Sequence, residues 1–166
     1  MRQFKIRRAP WAVYLLLPGL LLAGCSDSGK PGPPGSRTDK PAMARPAVDP
    51  AIVARGEQLF QKNCAACHGN RAQGAFNWQK PGADGKYPAP PLNGTAHDWH
   101  HPTAALKQTI RDGTQRIGGS MPAWGGVLSE KDIEAVIAWF QSLWPDEIYA
   151  AWADIDRRSR AGERAH

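Results

Sequence analysis

Four stretches of the chain repeat apolar residues at helical spacing. After Pro50, Val53, Gly56 and Phe60 fall at i, i+3 and i+7, with Leu59 adjoining. Asp49 and Pro50 supply an N-cap and a first helical residue. Gly56 weakens the helix it interrupts, so its use there implies a close crossing with another helix. A second helix is predicted from about Pro102 to Asp112, with Leu106 and Ile110 inward and Gly113 as its stop. The third pattern is the fullest: Ile133, Val136, Ile137, Phe140, Leu143 and Trp144 share one face. Ser129 caps it with Asp132 three residues on, a weaker relative of the capping box, and Pro145 ends it. Beyond, Ile148, Trp152 and Ile155 fall at i, i+4 and i+7 and predict a short amphipathic helix, packed on the domain or offered to a partner. Its basic end (Arg157, Arg158, Arg160, Arg164) reads as a solvated tail.

Between the first two helices, the stretch from Arg71 to Pro102 has no period and is rich in Gly, Pro and aromatics. Loops of that length are usually functional or wrapped on something. The N-terminus has a different character. Arg2, Lys5, Arg7 and Arg8 precede an apolar run from Trp11 to Leu22, too short to span a bilayer and interrupted by Pro18-Gly19. Residues 1–24 therefore read as a signal peptide. Its end, Leu21-Leu22-Ala23-Gly24-Cys25, resembles the lipobox of bacterial lipoproteins, which implies acylation of Cys25 as the first mature residue. Residues 25–48 are Pro, Gly, Ser and mixed charge, with nothing to bury, and read as a disordered tether. One domain is left at 49–145, with an extension at 146–166. The net charge of +6 falls to +2 once the four basic residues of the leader are removed, so charge gives no support to a nucleic-acid role.

Chemistry is concentrated in Asn63-Cys64-Ala65-Ala66-Cys67-His68-Gly69-Asn70. With Cys25 assigned to lipid, two of the three cysteines remain. A structural zinc site needs four ligands, usually as two pairs, and no second Cys pair exists. A thioredoxin-like pair would follow a buried strand, whereas a helical pattern precedes Cys64. C-x-x-C-H is the attachment signature of c-type haem. Residues at i, i+3 and i+4 share one face of a helical turn. Cys64 and Cys67 then meet the two vinyl groups, and His68 stands beneath the iron. For the opposite side, Met43 lies in the tether, while Met121 lies in "IGGSMPAWGG", where glycines permit close approach to a flat cofactor and Pro122 stiffens the chain. A Met in such a place is core filler or ligand. As a ligand its thioether favours Fe(II), raises the potential and leaves no open position for substrate.

"CAACH", followed 53 residues after its His by "MPAW", resembles a small class I, monohaem cytochrome c over about residues 49–145. The resemblance implies an all-α fold of a few helices around one covalent haem c. It implies axial ligation by His68 and Met121, and Gly56 meeting Trp139 or Phe140. The carbonyl of Pro90 or Pro91 would accept the Nδ1–H of His68. Trp78, Tyr87 or Trp99 would lie at the haem edge or on a propionate. The expected function is one-electron carriage between a donor and an acceptor redox protein, without a small-molecule substrate and without catalysis. Lys62, Arg71 and Lys107 are candidates to line the exposed edge in salt-sensitive encounters. The lipobox places the chain on the exported side of a bacterial membrane, and Ser26 after Cys25 favours the outer membrane. The alternatives are a haem-bearing accessory subunit of a larger oxidoreductase, or a haem enzyme or gas sensor whose Met121 leaves the iron. His97, His100 and His101 raise a metal site as a further possibility, against which Pro102 and the loop composition argue.

Overall fold

A computed structural model describes residues 45–163. The leader, Cys25, Met43 and Arg164 lie outside the described residues, so the expectations that fall on them meet no test in the fold. Among the described residues the regular elements are helical: α1 (Pro50–Asn63), α2 (Ala65–His68), α3 (Thr103–Asp112), α4 (Glu130–Ser142) and α5 (Asp146–Glu163), with short 3-10 turns at Asp98–His100 and Gln115–Ile117. This agrees with the all-α expectation.

The first and fourth helices form the central pair. Asp49 caps α1 through its carboxylate, which accepts from Ala51 N at 2.8 Å, and Pro50 stands at the start. The crossing is tight because Gly56 has no side chain. A Cβ there would run into the Ala135 carbonyl and lie 2.9 Å from Trp139 Cβ. Of the two aromatics considered, Trp139 is thus the one that Gly56 meets. Its ring also packs on Phe60, centroids 4.4 Å apart. At α4, Ser129 and Asp132 form a complete reciprocal capping box, stronger than the sequence suggested. A shorter Asp in place of Glu still reaches the Ser129 backbone N–H, at 3.2 Å.

Ile133, Val136, Ile137 and Phe140 are buried as expected, and so are Ala135 and Trp139, so α4 is covered on more than one face. Leu143 departs from the pattern. The helix stops at Ser142, Leu143 becomes its C-cap, and its side chain is 40 % exposed. Three residues later α5 begins, and at 18 residues it is longer than the short amphipathic helix expected. Trp152 and Asp156 are buried on it, while Ile155 is only half-buried. The Trp152 indole donates to His101 O at 3.1 Å, and Asp156 accepts from Thr103 N at 2.7 Å, supplying the N-terminal cap that Pro102 cannot give α3. These contacts pack α5 on the domain. Its basic end is paired rather than loose: Arg157 and Arg158 meet Asp154, and Arg160 meets Asp156.

Arg45, inside the stretch expected to be a tether, is held at four points. It donates to Gln141 O (2.8 Å) and Trp144 O (2.6 Å), lies 4.3 Å from the Tyr149 ring centre and pairs with Asp146 at 3.5 Å. A cation suits this place, because the C-terminal carbonyls of α4 have no intrahelical donors. The folded unit thus takes in residues just before Asp49.

Candidate haem-attachment site

The site grows from the junction of α1 and α2. Helix α1 ends at Asn63, Cys64 caps both elements, and the single turn Ala65–His68 follows. The backbone N–H groups of Cys67 and His68 both donate to Cys64 O, at 3.1 and 2.9 Å, which closes the turn. Both thiols are free; Cys64 is half-buried and Cys67 exposed. Burial, and then the neighbouring Cys67, push the Cys64 thiol up to about 11. At neutral pH Cys64 is therefore the neutral thiol rather than a thiolate. Gly69 follows with φ +77, a left-handed value that turns the chain away from the helix.

His68 is 8 % exposed, and its ring stands 6.4 Å from that of Phe60. Burial lowers its pKa, opposed by a backbone hydrogen bond. That bond is to Pro90 O, 2.9 Å from Nδ1. The carbonyl is that of Pro90 and not of Pro91. With Nδ1 carrying the proton and donating, Nε2 is left as the lone-pair nitrogen, the form that binds a metal.

Several contacts bring Pro90 to His68. Gly74 N donates to His68 O at 2.7 Å, which folds the chain back immediately after the motif. Gly74 itself has φ +75, and a Cβ on it would lie 2.6 Å from Pro91 Cδ and 2.7 Å from the Pro90 carbonyl carbon. The glycine is what lets the proline peptide come so near. Beyond it, Ala75 N bonds Ala89 O (2.9 Å) and Leu92 N bonds Ala72 O (2.7 Å), so the long loop is laced to itself on both sides of Pro90. The Trp144 indole pins it to the end of α4 through Leu92 O at 2.9 Å. Sequence reasoning missed Gly74 and Trp144. A lone loop glycine carries no period, and Trp144 reads simply as helix core.

Met121 sits half-buried against the hydrophobic core, beside Trp124 in sequence and held by Thr114. His68 and Met121 therefore both border the apolar core to which Phe60 belongs. Apolar side chains stand open near both in sequence: Phe76 is 91 %, Ile117 84 % and Val127 67 % exposed. Two unpaired thiols, a lone-pair imidazole, a thioether and unclaimed apolar surface are the donors and the lining that a covalently attached haem requires. The residues present fit that group.

Elsewhere the expected placements are mixed. Trp78 stacks on His97 at 6.0 Å, and Trp99 packs edge-on against His100 at 3.8 Å. His97 and His101 meet edge to face at 5.7 Å. Among the described residues no three His, Cys, Asp or Glu side chains come together to hold an ion. Lys107, one of the candidates for the exposed edge, is instead tied to Glu130 and Glu134 at 3.1 and 2.7 Å, across to α4.

An all-α domain with free thiols and a pinned imidazole in C-x-x-C-H defines a cytochrome c. Residues 51–140 match the family described as cytochrome c oxidase, cbb3-type, subunit III, and the chain belongs to that family. Cbb3-type cytochrome c oxidase subunit CcoP of an Azospirillum species is 36 % identical over 97 residues, 58 % of this chain and 30 % of the relative. Subunit FixP of Bradyrhizobium diazoefficiens is 37 % identical over 91 residues, 55 % of this chain and 27 % of the relative. Cytochrome c6 of Cladophora glomerata is 38 % identical over 91 residues, 54 % of this chain and 86 % of the relative. The chain spans about a third of the length of the CcoP and FixP relatives, and nearly all of the cytochrome c6. No solved structure matches it.

The match makes the chain a cytochrome-c-type domain of the kind found in these oxidase subunits. It also corrects one expectation. Cbb3-type oxidase subunits belong to inner-membrane complexes, so the outer-membrane placement drawn from Ser26 does not stand. Among the described residues no helix is long and apolar enough to cross a membrane.

Proposed function

We propose that the chain is a haem-bearing electron-transfer subunit serving a cbb3-type oxidase, with one covalent haem c. Cys64 and Cys67 hold the porphyrin through thioethers, and His68 Nε2 and Met121 Sδ ligate the iron. The observation that carries this reading is the His68 Nδ1 to Pro90 O bond beside two free thiols. A haem bound there supplies a one-electron iron couple. The chain's own residues set its terms. Pro90 O fixes the tautomer and orientation of the imidazole and raises its basicity. Buried Phe60, its ring 6.4 Å from that of His68, would keep water from the imidazole. A thioether supplied by Met121 would favour the reduced state and, together with His68, would leave no position open to a reactant.

The family match favours a subunit over a free shuttle, while the likeness to a cytochrome c6 over 86 % of that relative keeps a free carrier as the second reading. The proposal includes acylation of Cys25, which would hold the domain at the membrane that carries the oxidase. Each buried methylene of such an anchor adds about 0.8 kcal/mol. Lys62 and Arg71, which make no ion pair among the described residues, remain the candidates for contact with a redox partner. Native gel electrophoresis of gently solubilised membranes tests the assignment. Tagged chain migrating with the band that shows cbb3-type oxidase activity supports a subunit. Tagged chain only at its own mass, with rapid electron exchange to purified oxidase, points to a free carrier.

A further inference from the structure

We propose that Thr114 is a positioning residue for the thioether of Met121, acting as a clasp on the backbone of that ligand. The inference rests on the reading of Met121 as an iron ligand. Met121 N–H donates to Thr114 Oγ1 at 3.1 Å, and Met121 O accepts from Thr114 N–H at 2.9 Å. Gly119 N–H donates to Thr114 O at 2.8 Å. The amide, hydroxyl and carbonyl of one residue are thus all committed to residues 119–121. Gly119 makes this possible, because a Cβ on it would lie 2.6 Å from Thr114 Cβ and closer still to the hydroxyl.

Thr114 is itself anchored. It follows Gly113, whose φ of +67 ends α3, and a Cβ on Gly113 would lie 2.6 Å from Met121 O. On the far side of Met121, Trp124 N and Gly125 N donate to Ile110 O and Arg111 O at 3.1 and 3.0 Å. These carbonyls lie in the last turn of α3 and have no intrahelical donors. The ligand loop is therefore seated on the end of a rigid helix both before and after Met121. Of the bonds to Met121 itself, the one to Oγ1 is the one made by a side chain, and a substitution can delete it without touching the backbone. Thr is stiffer at χ1 than Ser, because its branched Cβ restricts the rotamers open to it.

An iron–thioether bond is weak enough that a free imidazole competes for the same position, replacing sulfur by nitrogen with no electron transferred. What resists exchange is how firmly the loop returns the sulfur to the iron. Thr114→Val keeps the shape and removes the acceptor, leaving Met121 N–H unpaired. The test uses the haem-loaded full chain, matured in a bacterial periplasm and oxidised. Imidazole is titrated while the far-red band of Met-ligated ferric haem is followed. The half-displacing concentration is expected to fall about tenfold in Thr114→Val, the upper range for one hydrogen bond, and to stay within about twofold in Thr114→Ser. A wild-type protein without the far-red band sinks the ligand assignment and this proposal with it. A wild-type band with Thr114→Val titrating like wild type overturns the role of Thr114 alone. Should the Val variant not mature, hydrogen exchange in the wild-type protein decides. Protection of the Met121 amide is expected, and exchange at the unprotected rate overturns the clasp.

Discussion

Gly74 makes one prediction at the scale of a single side chain. Any Cβ there strikes the Pro90–Pro91 peptide, so Gly74→Ala displaces the carbonyl that His68 uses. Losing that acceptor makes the imidazole a poorer electron donor, so the reduction potential of the haem protein should rise, and stability should fall by about 1–3 kcal/mol. An unchanged potential in protein-film voltammetry would contradict the role given to Pro90. Asp98 makes another. It is 4 % exposed, and neither carboxylate oxygen makes a full hydrogen bond. Burial raises its pKa, against the pull of nearby backbone amides and His97. A raised carboxyl contributes stability that is present below its unfolded pKa and lost as pH rises through the folded value. Asp98→Asn is therefore expected to stabilise the domain at neutral pH by about 1 kcal/mol and to make no difference in acid. Denaturant melts at the two pH values check this, and a loss of stability at neutral pH refutes it. The motif residues were legible because covalent attachment demands fixed spacing. Gly74, Thr114 and Asp98 were not, because their roles depend on what the fold brings against them.

Helix α1 owes its position to the absence of one methyl group. Gly56→Ala forces a Cβ into the Ala135 carbonyl, which belongs to backbone and cannot swing aside. The two helices must separate, at a cost of about 1–3 kcal/mol, and the Phe60–Trp139 contact loosens with them. Thermal unfolding checks the magnitude; a midpoint equal to wild type means that the crossing is not tight. The starts of the first three predicted helices were read within a residue, because capping or helix-starting residues and apolar periods coincide at Asp49, Pro102 and Ser129. Errors came where the period continued past the helix. Leu143 has the right spacing for the buried face of α4, yet the helix has already ended and the chain is turning into α5. The length of α5 was hidden for a related reason. Asp154 and Asp156 look like a polar tail, but Asp156 turns inward to cap α3. The pairing of Arg45 with the end of α4 spans 96 residues of sequence and has no local signature.

At the scale of the described residues, the helical core is accompanied by two free thiols and by several exposed apolar side chains, Phe76, Ile117 and Val127 among them. A domain this small buries a modest fraction of its surface, and a covalent porphyrin would complete the core. Cys64→Ser combined with Cys67→Ser is thus expected to yield little stable protein, with far-ultraviolet circular dichroism showing most helicity lost. Full native helicity in that double variant would contradict the structural role of the haem. The cytochrome c class was readable from C-x-x-C-H and the Met loop, whereas the sequence put a free carrier first and a subunit of a larger oxidoreductase second, since that motif and loop suit carriers and subunits alike; the family match favours the second. The visible spectrum of the oxidised protein after maturation in a periplasm tests the central claim most directly. Thioether-bound haem with a far-red band is the predicted result, reporting sulfur on ferric iron opposite His68. A colourless protein, or a haem protein without that band, would contradict it.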